Sequence, residues 1–177
     1  MDGFRRFVVM GPPGSGKSTL ARAIGARFGV PVFHLDQAYF RPGWVVVPAE
    51  VFAAEVARVA ALPGWVIDGN YIDTIGPRFA VADVVVYLDV PTWVMVLRVL
   101  RRTLVNYGKV RADAAAGCEE LVSLGFLQFV WTFNRLRRQR NLKLVRGFPR
   151  LVLVVRDVRE ALRLLEGAAS EVAPAPR

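Results

Sequence analysis

The run Gly11-Pro12-Pro13-Gly14-Ser15-Gly16-Lys17-Ser18 fits the spacing G-x-x-x-x-G-K-[ST]. Each part has a chemical use. Glycines let the backbone curl so that successive N–H groups point inward at anionic oxygens. A helix starting at Lys17 adds the positive end of its dipole. The Lys17 ammonium can reach the outer phosphates of a nucleoside triphosphate, and the Ser18 hydroxyl can sit on Mg²⁺. With Thr19 completing the run, residues 11–19 are the expected seat of ATP and Mg²⁺. A plain glycine turn is the alternative, but an apolar strand precedes this run and a helical pattern follows it, the context the motif requires.

Carboxylates come next. Three apolar runs end in aspartate, at Asp36, Asp68 and Asp89. In an open parallel sheet, ligands bind beyond the carboxyl ends of the strands. Asp68 there can hold a magnesium-bound water. Asp36 can accept a proton or hydrogen bond from a phosphoryl acceptor. Asp89, followed by Pro91-Thr92, reads as the cap of the next helix. His34 alternates with apolar neighbours and reads as a satisfied buried histidine; one histidine cannot make a typical metal site. Arginines form the third group. Arg98, Arg101 and Arg102 fall at i, i+3 and i+4, one helix face, and Arg111 follows. Planar guanidinium groups match the equatorial oxygens of a transferring phosphoryl group, and a movable arginine lid would exclude water. Arg98, Arg102 and Arg111 are the candidates. Arg135, Arg137, Arg138 and Arg140 are divided between lid and surface. Phe129, Trp131 and Phe133 read mostly as packing.

The elements that would position these groups follow from the apolar pattern. Strands are expected at Phe4–Met10, 32–35, 65–67, 84–88 and 151–155. Helices are expected at Ser18–Phe28, Ala49–Ala61, 92–107, 119–140 and Val158–Leu165. Residues 36–48 read as irregular, with a turn at Arg41-Pro42-Gly43-Trp44, and 108–118 as a loop or lid. Five short apolar runs separated by helices imply a parallel sheet covered on both faces. A single unit is expected, with its core at 4–91 and 150–166, an acceptor-binding segment at about 36–63, a lid at about 100–140 and a flexible tail at 167–177.

Composition narrows the class. Of 177 residues, 54% are hydrophobic and 22% charged, which predicts a folded chain. A single cysteine, Cys118, excludes an internal disulfide framework. The N-terminal apolar run is too short for a signal peptide or a membrane span, so a cytoplasmic protein with no membrane partner is expected. The net charge is +9, but only three of the 24 basic residues are lysines. Arginine preference explains the charge as well as nucleic acid binding does, and no DNA-binding motif is present.

Beyond the phosphate loop, the segments His34-Leu35-Asp36, Pro42-Gly43-Trp44, Asp68-Gly69-Asn70-Tyr71, Leu88-Asp89-Val90-Pro91 and Gly117-Cys118-Glu119 resemble the DNA topology modulation (FlaR-type) family of adenylate-kinase-like P-loop proteins, over roughly residues 4 to 160. The resemblance implies an α/β three-layer P-loop NTPase fold: a five-stranded parallel sheet, helices on both faces and a helical lid, like a nucleoside monophosphate kinase. Asp68-Gly69 resembles the start of the Asp-Gly-x-Pro-Arg motif of those kinases, but Asn70-Tyr71-Ile72 replaces its Pro-Arg. Arg78 is the nearby arginine that could stand in for it. Arg98-x-x-x-Arg102 resembles their arginine pair at the base of the lid. The expected function is transfer of the γ-phosphoryl group of ATP to a small-molecule acceptor, nucleotide or nucleoside favoured. That acceptor would lie near Asp36, Trp44, Asp68, Gly69, Asn70 and Tyr71, with Trp44 or Tyr71 offering a stacking face. A nucleic-acid-associated regulator switched by ATP and a simple ATPase are the alternatives.

Overall fold

The computed structural model describes residues 3–172. In chain order the elements are β1 (Arg6–Met10), α1 (Lys17–Phe28), β2 (Val32–His34), α2 (Leu35–Tyr39), a hairpin of β3 (Phe40–Arg41) and β4 (Val45–Val46), α3 (Ala49–Ala60) and β5 (Trp65–Asp68). A 3-10 turn (Ile72–Thr74), α4 (Ile75–Val81), β6 (Val84–Leu88), α5 (Thr92–Asn106), α6 (Leu124–Phe133), a π-helical turn (Asn134–Arg138), α7 (Gln139–Arg146), β7 (Leu151–Val155) and α8 (Val158–Val172) follow.

Five strands form one parallel sheet in the order β2-β5-β1-β6-β7. Side chains alternate between its faces with the strand period of two. On one face Phe7, Val9, Val84, Val86 and Leu88 pack with α1, α5, α6 and α8 through Leu20, Ile24, Met95, Val130, Phe133 and Leu165. On the other, Val8, Met10, Trp65, Ile67 and Val85 pack with α3, α4 and α7 through Phe52, Val56, Phe79, Leu142 and Val145. Both faces are covered, so the strands read as near-continuous apolar runs. The expected three-layer architecture is present.

Several expectations need correction. Residues 36–48 are not irregular: α2 and the β3–β4 hairpin occupy most of them, with Gly43 and Trp44 turning at φ 78° and 62°. Between β5 and β6 the chain forms the 3-10 turn and α4, which the apolar pattern did not mark. The helix expected to start at 119 starts at Leu124 instead. The Ser123 side chain accepts from the Phe126 N–H at 3.2 Å and caps it. Glu119 and Glu120 are held outside it by bridges to Val110 and Tyr107. At its other end this helix continues through the π turn to Arg146, where Asn134 Nδ2 donates to Val90 O and Arg138 reaches Asp89. Part of the expected lid is core, with Val130 and Phe133 buried against the sheet, while residues 110–113 and 120–123, Phe126, Phe129, Arg137 and Arg140 line the cleft at its carboxyl edge. Phe133 packs as expected, but Trp131 is exposed. The expected tail is helical as far as Val172. Alanine and glutamate there favour helix, and Glu166 accepts from Arg27 Nε at 2.8 Å. Residues 173–177 lie outside the described part.

Candidate active site

The phosphate-loop sequence leaves β1 at Met10 and enters α1 at Lys17, at the carboxyl edge of the sheet. Two of its glycines are fixed by space as well as by dihedral. Gly11 has φ 146° and a Cβ there would lie 2.8 Å from Leu88 O; Gly14 has φ 74° and a Cβ would lie 2.7 Å from Met95 O. Gly14→Ala should therefore cost at least ~2 kcal/mol and weaken triphosphate binding together, measured by thermal denaturation and ATP titration. Unchanged melting would contradict the tight packing of α5 on the loop. Gly11, Pro12 and Ser15 are buried, while Pro13, Gly14, Gly16, Lys17, Ser18 and Thr19 line a cleft of about 1490 Å³. Lys17 Nζ donates to Pro12 O at 3.0 Å. Burial pulls its pKa below the ordinary lysine value, against the opposing pull of Asp68 and Asp36.

The strand-end aspartates take distinct places. Asp68 and Asp36 line the same cleft as Lys17. Asp68 Oδ2 pairs with His34 Nδ1 at 2.8 Å. His34 thus has the partner expected of it, but that partner is a cleft carboxylate. Asp68 Oδ1 is buried with no hydrogen-bond partner among the described residues. Asp36 Oδ1 accepts from Tyr71 Oη at 2.6 Å. Burial, then the charge of Asp36, push the Tyr71 phenol far above its ordinary pKa, so it remains a donor. Its ring packs against Tyr39 and Phe52 at centroid distances of 4.6 and 4.9 Å, and the half-buried side chain also lines the cleft. Trp44 lines the cleft with its Nε1 donating to Glu119 O. Asp89 does not cap the helix after it. It receives Arg138 Nε and Nη2 at 2.7 and 2.6 Å, a bidentate pair that pins the π turn.

The turn after β5 carries two structural devices. Asn70 exchanges two hydrogen bonds with the Gly11 backbone, at 3.0 and 2.8 Å, and so ties this turn to the start of the phosphate loop. Arg78 is 0% exposed and donates to the carbonyls of Gly69, Asn70, Tyr71 and Thr74. It holds the turn from beneath. A role as replacement for the missing arginine after Asp68-Gly69 is corrected: its guanidinium is taken up by those carbonyls and does not line the cleft.

The opposite wall is basic. Arg98 Nη1 donates to Ser15 O at 3.1 Å. Arg102 donates from two nitrogens to Glu120 Oε1, and Arg111 Nε donates to Glu120 Oε2 at 2.8 Å. Arg111 Nη1 also bridges both oxygens of Asp113. Glu120 and Asp113 were not marked as site residues by the sequence reading. Their signal was there, an acid two residues after Arg111 and a Glu-Glu pair after Gly117-Cys118. The segment also seats on the α2–hairpin region: Gly43 N donates to Gly117 O, Gln37 Nε2 to Ala112 O, and Cys118 Sγ to Arg41 O.

Charge sets when this closure holds. Burial pushes the Glu120 carboxyl up, but Arg102, Thr103 and Arg111 outweigh it and hold it below its ordinary 4.5. For Asp113, burial is likewise outweighed by Arg111 and the Ser18 hydroxyl. Folded-state pKa values lie below unfolded ones, so the stabilisation is full above the ordinary carboxylate values and is lost as pH falls through the depressed ones. Protease cleavage within 107–123 should rise as pH drops below about 4, ahead of global unfolding followed by near-UV circular dichroism. Cleavage that tracks global unfolding at every pH would contradict this.

Comparison with known proteins fits the geometry. Residues 7–62 match the family described as ATPase family associated with various cellular activities (AAA). No curated protein matches the chain. Among solved structures, a shikimate kinase from Bacteroides thetaiotaomicron superposes with TM-score 0.57 at 18% identity, over 92% of this chain and 99% of that one. A deoxyadenosine kinase from M. mycoides gives 0.57 at 18%, over 95% and 100%. The fold is that of the small P-loop kinases. A gluconokinase from Sinorhizobium meliloti 1021 matches at 0.56 and 20%, over 95% of each chain. Within this P-loop kinase fold, the carboxyl edge of the sheet is where Gly11–Ser18, Asp36 and Asp68 meet. No described helix is long and apolar enough to cross a membrane.

Proposed function

We propose that the chain is an ATP-dependent phosphotransferase that moves the γ-phosphoryl group of ATP to a hydroxyl of a small molecule. One observation carries the reading. Lys17, Asp36 and Asp68 share a single cleft with Arg98, Arg102 and Arg111, which reach it from the opposite wall. Lys17 and these arginines stabilise charge on the transferring group. The acceptor hydroxyl binds the Asp36 oxygen that Tyr71 leaves free. As its oxygen attacks phosphorus, its proton passes to Asp36 and ADP departs with the electrons of the broken P–O bond. The 107–123 segment, seated on the hairpin, keeps water from competing.

Mg²⁺ fits the residues present. The Ser18 hydroxyl lines the cleft and Asp68 Oδ1 is a buried oxygen with no donor among the described residues. Mg²⁺ retains several waters and takes one or two protein oxygens, so these two groups suffice. When bound, the ion neutralises charge on the triphosphate oxygens.

Near the turn after β5 the acceptor meets Asp36, Trp44, Asp68 and Tyr71, while Arg78 of α4, which holds that turn, is buried below it. A nucleoside or another neutral hydroxyl compound suits this wall better than a nucleotide whose phosphate needs a guanidinium there. The test is transfer from γ-labelled ATP to matched pairs of nucleosides and their monophosphates, with sugars and small hydroxy acids alongside. Label in a neutral member supports the reading. Label released only as inorganic phosphate, equally with and without acceptors, overturns it.

A further inference from the structure

The helix that carries Arg98 and Arg102 into the cleft has a second face. Met95 and Val99 of α5 are buried against the sheet, and Thr103 is buried beneath Glu120. On the outward side Trp93, Leu97, Leu100 and Leu104 are 39–75% exposed. Their spacing is four, three, four, the a/d repeat of a coiled-coil seam. A seam of this kind covered only by water is unusual in a monomer. Helix α6 packs beside α5, and its outward residues Leu124 and Trp131 are 82% and 65% exposed. From their exposed fractions the six residues together leave roughly 800 Å² in water, about one partner's share of a standard interface.

We propose that this face is the contact between two copies of the chain, related by a two-fold axis. The spacing itself favours a second copy. Four-three-four reads the same in both directions, so an antiparallel α5 pair brings Trp93 onto the partner's Leu104 and Leu97 onto the partner's Leu100. A self-complementary patch is what an isologous two-fold contact requires. The exposed Arg101 then falls opposite the partner's Val96, about 7.5 Å along the helix axis from the matching arginine, so like charges are not forced together. Residues 92–106 and 124–146 contain no Asp or Glu, which leaves the seam free of buried carboxylates. The contact would fix α5 from outside while its inner face holds Arg98 on Ser15.

Sedimentation velocity of the full chain from ~1 to ~100 µM tests this. The expected result is a dimer that dissociates on dilution, and a rise of at least ~100-fold in its dissociation constant for Leu97→Glu. Leu97 is exposed, so unchanged melting of a dilute sample confirms the variant is folded. A wild-type chain that stays monomeric at ~100 µM overturns the proposal, and so does a dimer that Leu97→Glu leaves intact. A monomer that pellets with vesicles containing anionic lipid also overturns it, assigning the face to a bilayer surface instead. None of these outcomes depends on the chain's being a phosphotransferase.

Discussion

Replacing Asp36 with Asn should lower kcat about 10²- to 10⁴-fold and leave ATP affinity within about threefold of wild type. The substitution is nearly isosteric. An Asn side-chain oxygen still accepts from Tyr71 Oη, which lies 2.6 Å from Asp36 Oδ1, so α2 and the turn after β5 keep their contact. What disappears is the oxygen that takes the acceptor's proton. Lys17 gains stabilisation from Asp68 first and Asp36 second, so the phosphate-binding ammonium loses only the smaller of the two. Steady-state kinetics with separate ATP binding measurements divide these effects. A fall in ATP affinity with kcat preserved would move Asp36 from proton acceptor to phosphate-loop support.

Arg78→Met should be the most destabilising single substitution near the site, by about 4–6 kcal/mol. Arg78 is fully buried and pairs with no carboxylate among the described residues. Burial pulls its pKa down to about 9, which still leaves it charged at pH 7. Its donors satisfy four carbonyls of the 69–74 turn, and methionine satisfies none. For a chain of this size the loss corresponds to a drop in Tm of roughly 10–20 °C. Arg78→Lys should rescue little, because one ammonium cannot span four acceptors that a planar fork reaches. ATP affinity should fall as well, since the turn that Arg78 holds also carries Asn70, whose amide grips Gly11. A Tm within about 2 °C of wild type would show that the turn stands without it.

How much of this was legible in the sequence differs by level. Gly11–Ser18 is a local signal, since its glycines, lysine and serine are contiguous and its strand and helix adjoin it. Asp36 and Asp68 were legible because strands end where apolar runs end. The role of Arg78 was not. Its partners are backbone carbonyls, which carry no side-chain signature, and α4 is too short to show a clear helical period. Asn70 was read as an acceptor contact from its neighbourhood, but its partner Gly11 is 59 residues away and only the β1–β5 pairing brings them together. Glu120 and Asp113 carry only a weak signal of their own in the sequence, because the Arg102–Glu120 and Arg111–Glu120 pairs form only when α5 and the 107–123 segment come together. The closure depends equally on the acids between those arginines. Phe129, Trp131 and Phe133 read mostly as packing, and Trp131 is the exception: in a helix whose inward positions are Val130 and Phe133, it points the other way.

The central claim is that this cleft moves a phosphoryl group rather than only holding a triphosphate. Its most direct test uses γ-labelled ATP with Mg²⁺, the purified chain, and the small-molecule fraction of a cell extract. Wild-type protein should place label on a new organic phosphate, and Lys17→Ala should reduce that product at least ~10³-fold while staying folded. Label that appears only in inorganic phosphate, or an organic product that Lys17→Ala leaves undiminished, would contradict the account.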